Sequence, residues 1–253
     1  MLDDLERRDL DIDGFEAHAY VTHRDDGPTF VLVHGLGVSS VYFGPMASEL
    51  ADVGRVVVFD LPGFGETREP RRPLGIEAFA MVVADAAERL GVADAIWLGH
   101  SMGAQIVVDA IARRPGLARG ALLAAPVVTH GARSVRKQTW AFLKSAVHEK
   151  WGAALLSVEG YLRAGLAWPR EVLPAMLDYP IEERMPELTQ HVVVMRGEWD
   201  AVTPLSWVEE LGEAASAAAS VRVVSVAGAS HQLVVRHAGV VAQELIELAR
   251  RAA

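Results

Sequence analysis

The stretch between residues 95 and 113 constrains the fold of this chain more than any other. Residues 95–98 form an apolar run typical of a buried strand, and residues 105–111 have the composition of a helix. Between them lies Gly-x-Ser-x-Gly, at positions 99–103. Glycine has no Cβ atom, so the strand and the helix can approach closely there. We therefore predict a sharp strand–turn–helix unit that leaves the Ser101 hydroxyl exposed above a sheet.

Composition narrows the class of protein. The chain has 253 residues, of which 51% are hydrophobic, and this suits one large α/β domain with room for a small insertion. The net charge is −9 without a basic stripe, so we expect no nucleic acid and no anionic membrane surface as partners. Cysteine is absent, which excludes disulfides and a thiolate nucleophile. The acidic start lacks a signal core, and no apolar run approaches the roughly 20 residues of a membrane span. These features predict a cytoplasmic protein.

Apolar runs alternate with helical patterns along most of the chain. This alternation predicts an α/β fold with a doubly wound, mostly parallel sheet. An alternating stretch at 16–21 precedes the runs and predicts an edge strand of a leading antiparallel hairpin. The runs interpreted as parallel strands are residues 29–33, 55–60, 95–98, 120–126, 191–196 and 221–226.

The pattern changes over residues 127–187, where the strand signals stop. Apolar residues recur there at helical spacing, and four prolines, Pro174 among them, are expected to break the segment into short pieces. We interpret this segment as a small helical cap inserted between strands. It would divide the core domain into a first part, residues 1–126, and a second part, residues 188–253.

Polar residues follow four of the predicted strands. The run His34-Gly35-Leu36-Gly37 follows the strand at 29–33, and Ser101, Asp200 and His231 each follow a later strand. The carboxyl ends of parallel strands meet at one edge of a sheet, so these four loops are expected to converge.

Five motifs occur in order between the expected elements, and they cover almost the whole chain. They are His34-Gly35, Asp60-x-Pro62-Gly63-x-Gly65, Gly99-x-Ser101-x-Gly103, Gly197-x-x-Asp200-x-x-x-Pro204 and Gly228-x-x-His231. With these residues the chain resembles the α/β-hydrolase superfamily, in its capped esterase and epoxide-hydrolase-like branch. Dehalogenases and epoxide hydrolases of this fold carry Asp at the position of Ser101, so the resemblance implies a serine enzyme without a cofactor.

The chemical need of a serine nucleophile assigns roles to the converging residues. Ser101 requires a base to take its proton, and His231 is the candidate base. Asp200 would fix the imidazole tautomer and stabilise the imidazolium. The backbone N–H groups of Met102 and Leu36 would form the oxyanion hole, of which Leu36 is implied by the family pattern and Gly37 is the alternative.

The sequence contains other histidine and aspartate residues that could fill these roles. His237 is the main rival base, whereas His34 is expected to brace its own loop, as in the family. Asp60 is interpreted as part of a structural turn, because Pro62 and Gly63 lie beside it. We find neither metal-ligand spacing nor a phosphate or dinucleotide loop, so we expect no metal and no cofactor.

Several residues are candidates for the substrate pocket. The cap contains three of the six tryptophans, which suits a cover over an apolar pocket, although such aromatic residues can equally attach a cap to its core. The pocket candidates are Gly35, His100, Trp140, Trp151, Tyr161 and Trp199.

The sequence leads us to expect a hydrolase of a small, apolar carboxylic ester or lactone. Two alternatives stay open. A carbon–carbon bond hydrolase or lyase of this fold would use the same three residues, although such hydrolases usually carry Asn and Trp where this chain has His100 and Gln232. A binding protein of this fold would need none of the three.

Overall fold

A mixed sheet forms the centre of the protein. The computed structural model describes residues 2, 5–24, 26–130, 133–146 and 167–253. The strands in this part are β1 (Glu6–Ile12), β2 (Phe15–Val21), β3 (Thr29–Val33), β4 (Arg55–Asp60), β5 (Ala95–His100), β6 (Ala118–Ala124), β7 (His191–Gly197) and β8 (Ser220–Val226).

The strand order confirms the predicted fold class. It is β1-β2-β4-β3-β5-β6-β7-β8, with parallel pairing from β4 through β8 and antiparallel pairing of β1 with β2 and of β2 with β4. The prediction that residues 16–21 form an edge strand is wrong, because β2 pairs on both sides and β1 lies at the edge.

Helices cover both faces of the sheet. The first face carries α2, α3 and α7 and the second carries α1 and α9, each packed through buried apolar side chains. The helices are α1 (Gly44–Ala51), α2 (Ile76–Arg89), α3 (Met102–Arg113), α4 (Val135–Ala146), α5 (Ala167–Asp178), α6 (Ile181–Arg184), α7 (Leu205–Ala214), α8 (Leu233–Arg236) and α9 (Ala238–Arg251).

The described helices between β6 and β7 are α4, α5 and α6 in sequence, and no described residue of this segment forms a strand. Pro174 does not end a helix as expected, because it lies inside α5. A proline removes one backbone hydrogen bond, and the burial of Trp168, Val172 and Met176 compensates for that loss.

Three of its contacts attach this segment to the core. The Trp168 ring packs edge-on against Phe64, with ring centroids 6.5 Å apart, and is almost fully buried. The Tyr179 hydroxyl donates a 2.9 Å hydrogen bond to the buried Asp109 of α3, to which Arg184 also pairs at 3.2 Å. Among the described helices, none is long and apolar enough to cross a membrane.

Candidate active site

Ser101 lies in the tight turn between β5 and α3. Its backbone has φ 57° and ψ −121°, a strained conformation for a residue other than glycine. The glycines on either side allow this turn. A Cβ atom at Gly99 would lie 2.3 Å from the Gly103 carbonyl oxygen, and one at Gly103 would lie 2.3 Å from the Val33 carbonyl oxygen. The sequence therefore forms the predicted strand–turn–helix unit by removing the side chains that would separate β5, α3 and β3.

The structure brings Ser101, His231 and Asp200 together. His231 Nε2 lies 3.1 Å from Ser101 Oγ, and His231 Nδ1 lies 2.8 Å from Asp200 Oδ2. The three residues follow β5, β7 and β8, and all three are buried. The expectation of an exposed Ser101 hydroxyl is therefore wrong. Asp200 requires the proton on Nδ1, which leaves Nε2 free to accept from the Ser101 hydroxyl. His237, the rival base, lies between α8 and α9 and does not line the cavity at Ser101.

Asp200 is held as a carboxylate. Burial alone would raise its pKa, but the charge and hydrogen bond of His231 and two backbone donors outweigh burial and lower the pKa. The backbone donors are the N–H groups of Val202 and Thr203, at 2.8 and 3.1 Å from Oδ1. An ionised Asp200 stabilises a positive charge on His231.

Two further residues fix the Asp200 loop, and the sequence analysis missed both. The buried Arg196 guanidinium donates to the carbonyl oxygens of Thr203 and Asp200, at 2.7 and 3.2 Å. Ser145 of α4 accepts from the Ala201 N–H at 2.8 Å and lies 3.4 Å from Asp200 Oδ1. Arg196 gives a sequence signal, since it is a charge in an otherwise apolar strand, whereas nothing distinguishes Ser145 in the sequence.

The loop after β3 lies against the serine. His34 Nδ1 donates to the Gly35 carbonyl at 2.8 Å, and its Nε2 accepts from the Leu61 N–H at 3.1 Å, so His34 braces the loop. Burial lowers the pKa of His34, which stays neutral in this role. Leu36 lines the cavity beside Ser101. The N–H of Met102 lies in the first turn of α3, where a helix offers no acceptor of its own.

Asp60 is the last residue of β4, and its carboxylate contacts neighbouring backbone. Its Oδ1 accepts from the Ser40 N–H at 2.6 Å, and a Cβ atom at Gly65, in the turn after β4, would lie 2.3 Å from Oδ2. Both contacts fit a structural role for Asp60.

A cavity of about 200 Å³ opens at Ser101. Its described lining includes Gly35 and His100 and is mostly apolar, with Arg170 as the single side chain that carries a permanent charge. Among the described residues, no three acidic, His or Cys side chains group as metal ligands would. The other lining residues are Leu36, Val38, Val135, Gln138, Thr139, Pro169, Leu173, Met176, His231 and Gln232.

The aromatic pocket candidates fall elsewhere. Trp140 is 68% exposed and lines a separate depression with Lys144 and Ala201, and Trp199 is 46% exposed and outside the cavity lining. Both are corrections to the prediction, because α4 turns Val135, Gln138 and Thr139 rather than Trp140 towards Ser101. Trp151 and Tyr161 lie outside the described residues.

Comparison with known proteins identifies relatives of this chain. A pimeloyl-[acyl-carrier protein] methyl ester esterase from Stenotrophomonas maltophilia (strain R551-3) is 33% identical over 141 residues, which are 55% of this chain and 50% of the relative. The chain therefore spans about half the length of this curated relative.

Solved structures share the fold over nearly the whole chain. An enol-lactonase from Burkholderia xenovorans LB400 has a TM-score of 0.80 and 20% identity, covering 95% of this chain and 99% of that one. An esterase from Rhodococcus sp. ECU1013 has a TM-score of 0.79 and 21% identity, covering 99% and 100%. A family model described as the alpha/beta hydrolase family matches residues 30–244. Together with the sheet order and the strained serine turn, this match shows that the chain belongs to the alpha/beta hydrolase family.

Proposed function

We propose that this protein is a serine hydrolase that cleaves a small carboxylic ester or lactone through an acyl-enzyme on Ser101. The observation that carries the proposal is the continuous hydrogen-bonded set from Ser101 Oγ through His231 to Asp200, with separations of 3.1 and 2.8 Å. This geometry meets the requirement that a nucleophile and its base lie within hydrogen-bond reach.

The reaction would proceed in two stages. His231 Nε2 takes the proton of Ser101 as Oγ attacks the ester carbonyl, and then delivers that proton to the departing alcohol oxygen. Asp200 stabilises the imidazolium that exists between these steps. In the second stage His231 takes a proton from water as the water oxygen attacks the acyl carbonyl carbon. The bond from that carbon to Ser101 Oγ then breaks, His231 returns the proton to Oγ, and the acid is released.

The backbone N–H groups of Leu36 and Met102 would bind the oxyanion that forms on the carbonyl oxygen. Two observations support this pair: Leu36 lines the cavity, and Met102 begins α3 directly after Ser101. One such donor lowers the barrier by roughly 3 kcal/mol.

The substrate class rests on the cavity and on the relatives. Leu36, Val38, Leu173 and Met176 offer an apolar wall, and the volume of about 200 Å³ suits a small acyl or alcohol group. The relatives named above are an ester hydrolase, a lactonase and an esterase. A small, apolar substrate and a cytoplasmic location both belong to this proposal.

The test is turnover of p-nitrophenyl esters by the wild type, by Ser101→Ala and by Ser216→Ala, a control at an exposed serine. We expect Ser101→Ala to lose on the order of 10⁶-fold in kcat and the control to lose nothing. Wild-type turnover in Ser101→Ala would refute the proposal.

A fluorophosphonate probe separates the alternatives. Labelling of Ser101 without ester turnover would indicate carbon–carbon bond cleavage or lyase chemistry with the same residues. The absence of both labelling and turnover would indicate a binding protein.

A further inference from the structure

Two polar side chains near Ser101, the half-buried Tyr42 and the buried His100, have no part in the mechanism above. The Tyr42 hydroxyl lies 2.7 Å from His100 Nδ1, and His100 Nε2 lies 2.9 Å from the backbone carbonyl oxygen of His231. His100 ends β5 directly before the serine, and its ring centroid is 5.3 Å from that of His231. The sequence analysis assigned His100 only to the pocket wall.

The hydrogen-bond partners define the protonation of His100. A carbonyl oxygen only accepts, so the proton must lie on Nε2 and the bare Nδ1 must accept from Tyr42. Burial, together with the nearby charge of His231, lowers the pKa of His100 to about 3, despite opposing effects of the His231 carbonyl and Asp200. Burial also raises the pKa of Tyr42 well above its usual value, so its hydroxyl keeps its proton and donates.

The two hydrogen bonds join three parts of the chain. Tyr42 lies in the short helical turn Ser40–Phe43 that follows the Gly35 loop, and it binds His100 beside the serine turn. His100 in turn binds the backbone of the His231 loop.

We propose that Tyr42 and His100 are positioning residues for the general base. His231 lies in a turn before α8, outside regular secondary structure, and its backbone carbonyl is bound by His100. The Nε2–H of His100 fixes the His231 carbonyl and thereby the direction in which His231 Nε2 faces Ser101. Tyr42 fixes the tautomer that makes this donation possible. The inference rests on the proposed function, since it assumes that His231 is the base.

Two variants of similar size distinguish a positioning role of His100 from a role that only fills space. His100→Gln keeps an N–H donor near the His231 carbonyl, and His100→Met has nearly the same length without a donor. We expect kcat to fall about 10-fold in His100→Met, equivalent to about 1.4 kcal/mol, and less than about 3-fold in His100→Gln, with KM unchanged in both. His23→Met, at an exposed histidine, is the control, and thermal melting checks that every variant folds.

A double-mutant cycle tests whether the pair acts as a unit. Tyr42→Phe alone should lower kcat by about 3-fold, and it should add nothing in the His100→Met background. Equal losses in His100→Gln and His100→Met, or additive effects in the cycle, would overturn the proposal.

A second readout does not depend on turnover. The ¹⁵N NMR signals of His100 should show the neutral Nε2–H tautomer between about pH 5 and 8 in the wild type, and mixed tautomers in Tyr42→Phe. A charged His100, or an Nδ1–H tautomer, would overturn the proposal. Failure of the proposed function has a different signature, namely ester turnover that survives Ser101→Ala.

Discussion

The closest approach in the serine turn gives a quantitative prediction for Gly103→Ala. The added Cβ atom would lie 2.3 Å from the Val33 carbonyl oxygen and 2.7 Å from that of His34. Both atoms belong to the backbone and cannot rotate away. The start of α3 must therefore retreat by about 0.7 Å to bring the shorter contact to 3.0 Å.

This displacement of α3 should lower kcat strongly and thermal stability only slightly. A misplacement of about 1 Å at reacting groups costs on the order of 10² in rate, and Ser101 and the Met102 N–H move with α3. Overpacking costs about 1–3 kcal/mol, of which the higher helix propensity of alanine restores about 1 kcal/mol. We expect kcat to fall about 100-fold while Tm falls by less than about 8 °C.

The assay is ester turnover combined with thermal melting. Gly116→Ala is the matched control, because a Cβ atom at Gly116 meets nothing within 4 Å. Wild-type activity in Gly103→Ala would refute the claim that this contact sets the position of Ser101.

Three further predictions follow from the site and its attachments. Asp200→Asn should lower kcat about 10⁴-fold, whereas Glu198→Gln, at an exposed position, should leave kcat unchanged. The pKa of Asp200 is lower in the folded protein, so its carboxylate contributes stability above the unfolded-state pKa of 3.8. Urea titrations should show this contribution disappearing as the pH falls through the folded-state pKa. Asp109→Ala should lower the free energy of unfolding in urea by about 2 kcal/mol. This is less than for a fully buried ion pair, because Arg113 and Arg184, the partners of Asp109, are partly exposed. An unchanged urea midpoint would contradict this prediction. Arg170 is the permanent charge in the described cavity lining, so Arg170→Gln should lower kcat/KM about 3-fold for a monomethyl ester of a dicarboxylic acid relative to its dimethyl ester. Arg136→Gln, outside the cavity lining, should leave this ratio unchanged. Equal ratios in both variants would show that Arg170 does not select charged substrates.

Local sequence was sufficient to predict the fold. Continuous apolar runs give the parallel strands, because a strand covered on both faces has no polar side to show in its pattern. The same reasoning placed Ser101, Asp200 and His231 after three different strands, and the structure brings their side chains within hydrogen-bond distance. Their catalytic roles stay predictions, as do those of Leu36 and Met102.

The misses share a physical reason. Whether Trp140 or Val135 faces the cavity depends on how α4 is rotated against the core, and the periodicity of one helix does not specify that rotation. Tyr42 and Ser145 act through contacts with residues far away in sequence, which no local pattern encodes. Arg196 contacts the loop that directly follows its own strand, and its charge in that apolar strand is the signal that could have identified it.

Trapping of the acyl group would show which residue carries the covalent intermediate. The wild-type protein would be mixed with a p-nitrophenyl ester, quenched in acid within the first turnover and digested for mass spectrometry, alongside Ser101→Ala. We expect the mass of one acyl group on the peptide that contains Ser101, and on no peptide of the variant. An acyl group on another residue, or ester cleavage by the variant at the wild-type rate, would contradict this expectation.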